Sequence, residues 1–329
     1  MPKRKLPPPS HARRPRADAQ RNRERILQVA KELGYAPDAR LVSWMARLQA
    51  VKSKNLLPIA WLNTCHEKNA WHCYRFQSPV LEGAQARAKE LGYYLEEIWT
   101  QEPDMTMRQI SKILYQRAIE GVIITHPARH FRLDWDHLAS VSIGAIQVPK
   151  MHRILPDIHA NLILALKSLR KLGYRRIGIC LDKTVERGSL HTVHATADAF
   201  YSSISAKDRV PPLFHPLWWT KGYNKETKLI AWLKRHKPEV IVGHDNHIEQ
   251  WVKAAGFRVP EDLGIVHLSV DDDVLDWAGV YSRRRDMGAT AVEWLVSLMR
   301  NHQFGLPRTP LNIFIQGTWQ TGRTIGTVQ

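Results

Sequence analysis

Four stretches of this 329-residue chain hold residue types that could do chemistry: "LSVDDD" (268–273), "VGHDNH" (242–247), "PLWWTKG" (216–222) and "TCHEKNAWHC" (64–73). The aspartates 271–273 could accept hydrogen bonds or hold a cation, but they lack the alternating spacing of a calcium loop. His244 and Asp245 offer a hydrogen-bonding pair, and a histidine there brings a pH response. Trp218 and Trp219 present flat apolar faces; two core tryptophans at a strand end is the competing reading. Cys65, His66, His72 and Cys73 are four metal-capable side chains in one loop. Adjacent Cys-His pairs converge on a tetrahedral zinc less readily than C-x2-C knuckles. No metal is therefore assigned, and loop or cleft-lining roles remain. The chain has no GxSxG, P-loop, HExxH or GxGxxG, so no enzyme activity and no cofactor are expected.

From residue 57 on, apolar runs of strand length alternate with amphipathic runs of helix length. Strands are expected at 57–62, 93–98, 121–125, 140–146, 176–181, 213–218, 239–243 and 264–269. Helices are expected at 79–91, 106–118, 158–172, 189–205, 225–236, 247–255 and 286–301. Such alternation predicts parallel sheets with helices on both faces, and right-handed crossovers make them doubly wound. Eight core strands suit two Rossmann-like subdomains better than one sheet, giving an α/β fold. The chain is expected to change halves near 153–161, return near 279–288, and cross again near 314–322. "AKELGY" occurs at 30–35 and 88–93, "KLGY" at 171–174 and "AAGF" at 254–257. A left-handed glycine cap after a helix accounts for all four.

Composition narrows the class. No run of 18 apolar residues is present, so nothing is expected to span a membrane. The basic N-terminus lacks an apolar h-region, which argues against a secretory signal. Three cysteines do not make a disulfide framework and fit a reducing cytoplasm. The net charge of +17 is uneven: residues 1–54 hold 14 Lys/Arg against 4 Asp/Glu, and the rest hold 34 against 27. A basic arm on a nearly balanced body points to a polyanion partner; for residues 1–20 a solvated, disordered tail is the alternative.

Seven ordered landmarks carry a resemblance: "RERILQVAKELGYAPDARLVSWMA" (23–46), "EGVIITHP" (120–127), "PDIHANLILALKSLRKLGYRRIGI" (156–179), "KPEVIVGHDN" (237–246), "AGFRVPEDLGIVHLSVDDD" (255–273), "DMGATAVEWL" (286–295) and "GTWQTGRT" (317–324). Together they resemble the LacI/GalR family of transcription regulators, over about residues 22–325. The resemblance implies a homodimer whose DNA binding is controlled by a small hydroxylated metabolite, such as a sugar, held between two periplasmic-binding-protein-like lobes. It implies a basic tail at 1–20, a headpiece helix and hinge at 21–54, and an effector and dimerisation domain at 55–329. Within that domain, an N-subdomain takes about 55–155 plus 282–314 and a C-subdomain about 156–281 plus 315–329. A dimeric remnant without specific DNA binding and a transporter solute-binding protein are the alternatives.

By the same resemblance, Asp271 accepts hydrogen bonds from ligand hydroxyls and Trp219, or Trp218, lies against the ligand. His244 stands where relatives carry Asn, beside Asp245. Relatives place an Arg where this chain has Thr196, with Arg187, His191 and His194 nearby. Trp71, Tyr74 and Phe76 border the cleft, and His126 ends another strand. The hinge, 38–50, orders on DNA in the family and inserts an apolar wedge into the minor groove. Met45, followed by Ala46, takes that place here, with Leu48 as second choice. Arg40, Arg47, Lys52 and Lys54 are the phosphate ligands. A linker helix docking through Trp44 and Leu48 is the alternative. Nothing in residues 1–22 matches the family's helix-turn-helix, so weak sequence preference is expected of this polypeptide.

Overall fold

The computed structural model describes residues 56–73, 77–103, 105–125, 132–144, 150–216 and 220–326, together with Arg25, Gln28, Val29 and Glu32. The chain divides into two compact units, Met1–Asn55 and Leu56–Gln329. In the first, the four described residues are helical and exposed, and Gln28 Nε2 donates to Glu32 Oε1 at 3.2 Å, one turn away.

The second unit contains two six-stranded sheets. The first half of the chain runs β1 (Leu57–Asn63), α1 (Ala70–Cys73), α2 (Ser78–Glu90), β2 (Tyr93–Trp99), α3 (Met107–Gln116), β3 (Gly121–Thr125), β4 (Ala139–Ile143) and β5 (His152–Pro156). It continues through α4 (Ile158–Lys171), β6 (Ile177–Asp182), α5 (Lys183–Gly188), α6 (Thr192–Ser202), β7 (Leu213–His215), α7 (Lys225–His236), β8 (Val240–Gly243), α8 (Ile248–Ala254) and β9 (Gly264–Val270). The chain ends with β10 (Gly279–Tyr281), α9 (Arg284–Arg300), β11 (Asn312–Ile315) and β12 (Thr318–Gln320).

The first sheet has the order β11-β5-β4-β3-β1-β2, and every pairing in it is parallel. The second has the order β12-β10-β9-β8-β6-β7; only β12 is antiparallel to its neighbour. Sheet membership changes after β5, after β10 and between β11 and β12.

Strand periodicity sorts the core into four layers. Ile59 and Trp61 face α2 and α9, whereas Ala60 and Leu62 face α3. In the second sheet Ile177, Ile179 and Leu181 pack on α4 and α6; Cys180 and Ile241 face α7 and α8. The closest helix contact is between α2 and α9. A Cβ on Gly288 would lie 1.9 Å from the Val80 carbonyl oxygen, so only glycine lets the two backbones meet there.

Local chemistry explains where elements start and stop. Thr106 and Gln109 form a reciprocal capping box on α3. Asp157 and Asn224 accept from Ala160 N and Thr227 N to open α4 and α7. The glycines of the repeated helix-end motif in this unit, Gly92, Gly173 and Gly256, all have φ between +88° and +95°.

Several expectations need correction. The described residues contain twelve strands, not eight, because β5, β10, β11 and β12 are short and were not anticipated as strands. The expected helix at 189–205 is two: α5 ends by Gly188 and α6 begins at Thr192. Leu190 and His191 between them take left-handed backbone, with φ of 56° and 65°. The strand expected to 218 ends at His215, and that expected at 140–146 spans Ala139–Ile143.

Candidate ligand-binding site

In the second sheet, the parallel strands all end on one side. Asp182 closes β6, His215 closes β7, His244 and Asp245 follow β8, and Asp271 follows β9. Carboxyl ends of parallel strands are where this architecture holds ligands, because backbone there diverges into loops. Cys180, Leu181, Asp182, His215, Lys225, His244, Asp245, Ile248 and Trp251 line a cavity of about 240 Å³, its open mouth included.

Its centre is an ion cluster. Lys225, the first residue of α7, donates from Nζ to Asp182 Oδ2 at 3.1 Å and to Asp245 Oδ2 at 3.2 Å. The other oxygens are also engaged. Val185 N donates to Asp182 Oδ1, and both His247 N and its Nδ1 meet Asp245 Oδ1, at 3.1 and 2.9 Å. Burial alone would raise both carboxyl pKa values. The Lys225 charge at Asp182, and the His247 and Lys225 contacts at Asp245, outweigh it, so both are held below the usual carboxylate range. Burial pulls Lys225 down, but the two aspartates outweigh it and raise its pKa. At neutral pH the cluster holds two negative charges and one positive.

The histidines beside it are different. His215 bridges Cys180 Sγ, 3.3 Å from its Nε2, and the Tyr223 hydroxyl, 2.8 Å from its Nδ1. Burial, then the Lys225 charge, pushes its pKa down to about 4. His244 is pushed down to about 4 by burial first and then by the Arg284 charge. Its ring stacks at 5.4 Å on His267, which is fully buried and meets Trp277 edge-on at 5.9 Å. Burial, with Asp245 next, pushes the Cys180 thiol up to about 12, which leaves it protonated and unreactive at neutral pH. The site therefore offers acceptors, donors and an indole wall, suited to binding a small polar molecule.

Of the residues anticipated from sequence, His244 and Asp245 line this cavity. Asp271 is 2% exposed at the adjacent strand end, next to Ser269, which accepts from Arg284 Nη2 at 2.9 Å. His194 stacks on Phe214 at 3.6 Å and pairs with Glu186 at 3.2 Å; Arg187 is exposed on α5. Neither lines the cavity. Trp71 requires a correction. It is 1% exposed and packs edge-on against Trp61 at 5.0 Å, so its ring belongs to the first sheet's core rather than to a cleft surface. In its loop, Cys65 is half-buried and accepts from Gln77 Nε2, and His72 meets Glu97 at 2.8 Å. Thr196 accepts from His159 Nδ1 and donates to the Thr192 carbonyl. Trp218, Trp219, Tyr74, Phe76 and His126 lie outside the described residues, as do Met45, Ala46, Leu48, Arg40, Arg47, Lys52 and Lys54.

Sequence reasoning missed Asp182, His215, Lys225 and Trp251. The available signal was position: Asp182 and His215 are the last residues of their strands, as Asp271 is the first after its own.

Residues 166–315 match the family of periplasmic binding protein-like domains. No curated protein matches the chain. Solved structures do. A complex of the transcriptional regulator CelR with cellobiose is 16% identical with a TM-score of 0.57, covering 92% of this chain and 90% of that one. The lac repressor dimer, bound to operator and the anti-inducer ONPF, is 15% identical with a TM-score of 0.57, covering 93% and 90%. A periplasmic binding protein/LacI transcriptional regulator from Alkaliphilus metalliredigens QYMF, complexed with D-xylulofuranose, is 13% identical with a TM-score of 0.58, covering 83% and 100%. The body of this chain thus has the periplasmic-binding-protein-like fold of LacI-type effector domains.

Proposed function

We propose that this chain, with its periplasmic-binding-protein-like domain, is a ligand-responsive DNA-binding transcription regulator of the LacI type, acting in the cytoplasm as a homodimer. The observation that carries the sensing half is the preorganised cluster of Asp182, Lys225, His244 and Asp245 at the carboxyl ends of the second sheet. It is a binding arrangement and supplies no activated nucleophile. A cavity of about 240 Å³ is smaller than the ~300–1,000 Å³ of sites for drug-sized ligands, which supports a small hydroxylated metabolite. No described helix is long and apolar enough to cross a membrane.

The DNA half rests on the charge of residues 1–54 and on the resemblance at the hinge. Two copies are needed for a hinge wedge to work. The exposed apolar side chains Leu57, Tyr94 and Tyr115 on β1, β2 and α3 support pairing through the first sheet's side of the molecule. The test combines assembly with DNA binding. Ultracentrifugation at micromolar concentration is expected to show a dimer. Fluorescence anisotropy is expected to show duplex binding that falls steeply with salt, because it is driven by phosphate contacts. A monomer, or no DNA binding at low salt, would overturn this half of the reading.

A further inference from the structure

The charges around the cavity say what sort of small molecule it prefers. Two carboxylates, Asp182 and Asp245, share the single Lys225 ammonium through their Oδ2 atoms. His215 and His244 contribute no charge at neutral pH. The lining thus carries an excess of one negative charge. Beyond it, Arg284 and Asp271 bring one formal charge of each sign. His247 approaches only Asp245 Oδ1, from the exposed side.

Both Oδ2 atoms already accept an ammonium, and an oxygen with two lone pairs has room for a second donor. Two carboxylates with two ammonium groups would be neutral; two with one are not. Trp251 lines the same cavity, and its indole, stacked on His247 at 5.9 Å, adds an aromatic wall of the kind that favours cations. An anionic sugar acid or phosphate would instead meet the excess negative charge with the Lys225 cation already paired.

We propose that this cavity selects a small ligand bearing a protonated primary amine, such as an amino sugar, with Asp182 and Asp245 as the amine's acceptors and Trp251 as its apolar wall. The inference rests on the cavity being the effector site. It specifies the ligand's charge, whereas the effector reading requires only that some small polar ligand bind there.

The full chain is titrated by calorimetry and thermal shift with four probes that share a hexose skeleton: D-glucosamine, D-glucose, N-acetyl-D-glucosamine and D-gluconate. Glucosamine is expected to bind about tenfold more tightly than glucose, the gain of one charge-assisted hydrogen bond. Acetylation should remove that gain, and gluconate should be weakest. Asp182→Asn should bring the glucosamine-to-glucose ratio towards one. Should that variant fail to fold, the acetylation comparison on the native chain decides alone. Glucose or gluconate binding as well as glucosamine would overturn the amine preference, as would an advantage that survives both acetylation and Asp182→Asn. Asp271-dependent binding of glucose with no amine advantage would sink this inference and leave the effector reading standing. No binding by any of the four would overturn the amine preference, without touching an effector of another skeleton.

Discussion

Replacing Lys225 by methionine is expected to lower the stability of the body by about 3 kcal/mol, read as a lower midpoint in urea unfolding. Removing one partner from a buried ion cluster costs ~3–5 kcal/mol, because the charges left behind have neither water nor a counterion. The lower end applies, since the Lys225, Asp182 and Asp245 side chains remain 19%, 16% and 26% exposed. Two carboxylates would be left facing each other. Their pKa values should rise, so the deficit should shrink in mild acid as one of them takes a proton. An unchanged midpoint would show that the cluster is solvated and not preorganised.

Acid is expected to destabilise the native chain well before its ordinary carboxylates titrate. His215 and His244 are held at about 4 in the folded protein, against an ordinary value of 6.5. A folded pKa below the unfolded one means that the unfolded chain binds protons first as pH falls. The stability in question is fully present above pH 6.5 and is lost progressively between 6.5 and about 4. A shift of this size is worth on the order of 3 kcal/mol per histidine, at ~1.4 kcal/mol per pKa unit. Asp182 and Asp245, with lowered pKa values, add a further loss as the pH falls through their own range. Lys225 works in the opposite sense, losing its contribution only at high pH. Urea midpoints measured from pH 7.5 to 4.5 should fall steadily, and His215→Gln should flatten the slope. Equal slopes in the two proteins would mean that His215 titrates normally.

How much of this was legible in the sequence depended on the range of the interaction. The body's architecture was readable because it rests on local pattern. "GVIIT" gave a strand at the stated bounds, and residues 225–236 gave a helix at theirs. β5, β10, β11 and β12 were missed because three to five residues carry too little periodicity. β11 and β12 are edge strands with half their residues exposed, so even their apolar alternation is diluted. The break between α5 and α6 depends on left-handed Leu190 and His191, residue types that give no warning of it.

The site divides in the same way. Asp271, His244 and Asp245 stood out because they follow apolar strands directly. Lys225 did not, because a lysine in the first turn of an amphipathic helix reads as a solvated charge. Its partners lie 43 and 20 residues away and meet it only once β6 and β8 pair. His215 is likewise 35 residues from Cys180. Trp71 was misjudged because its loop position suggested a cleft, whereas a single helical turn turns its ring onto Trp61.

The central claim is that the carboxyl ends of the second sheet hold a small polar ligand. A thermal-shift screen of pentoses, hexoses, amino sugars and sugar acids on the full chain, repeated on Asp271→Ala and Asp245→Asn, tests it most directly. A ligand that binds only the folded state raises Tm by mass action, by about 2.7 kcal/mol at a hundredfold excess over Kd. At least one compound should stabilise the native chain, and the shift should vanish in both variants, since ligand donors left unmet in a closed site are costly. A shift that persists undiminished in both variants would place the ligand elsewhere and contradict the account.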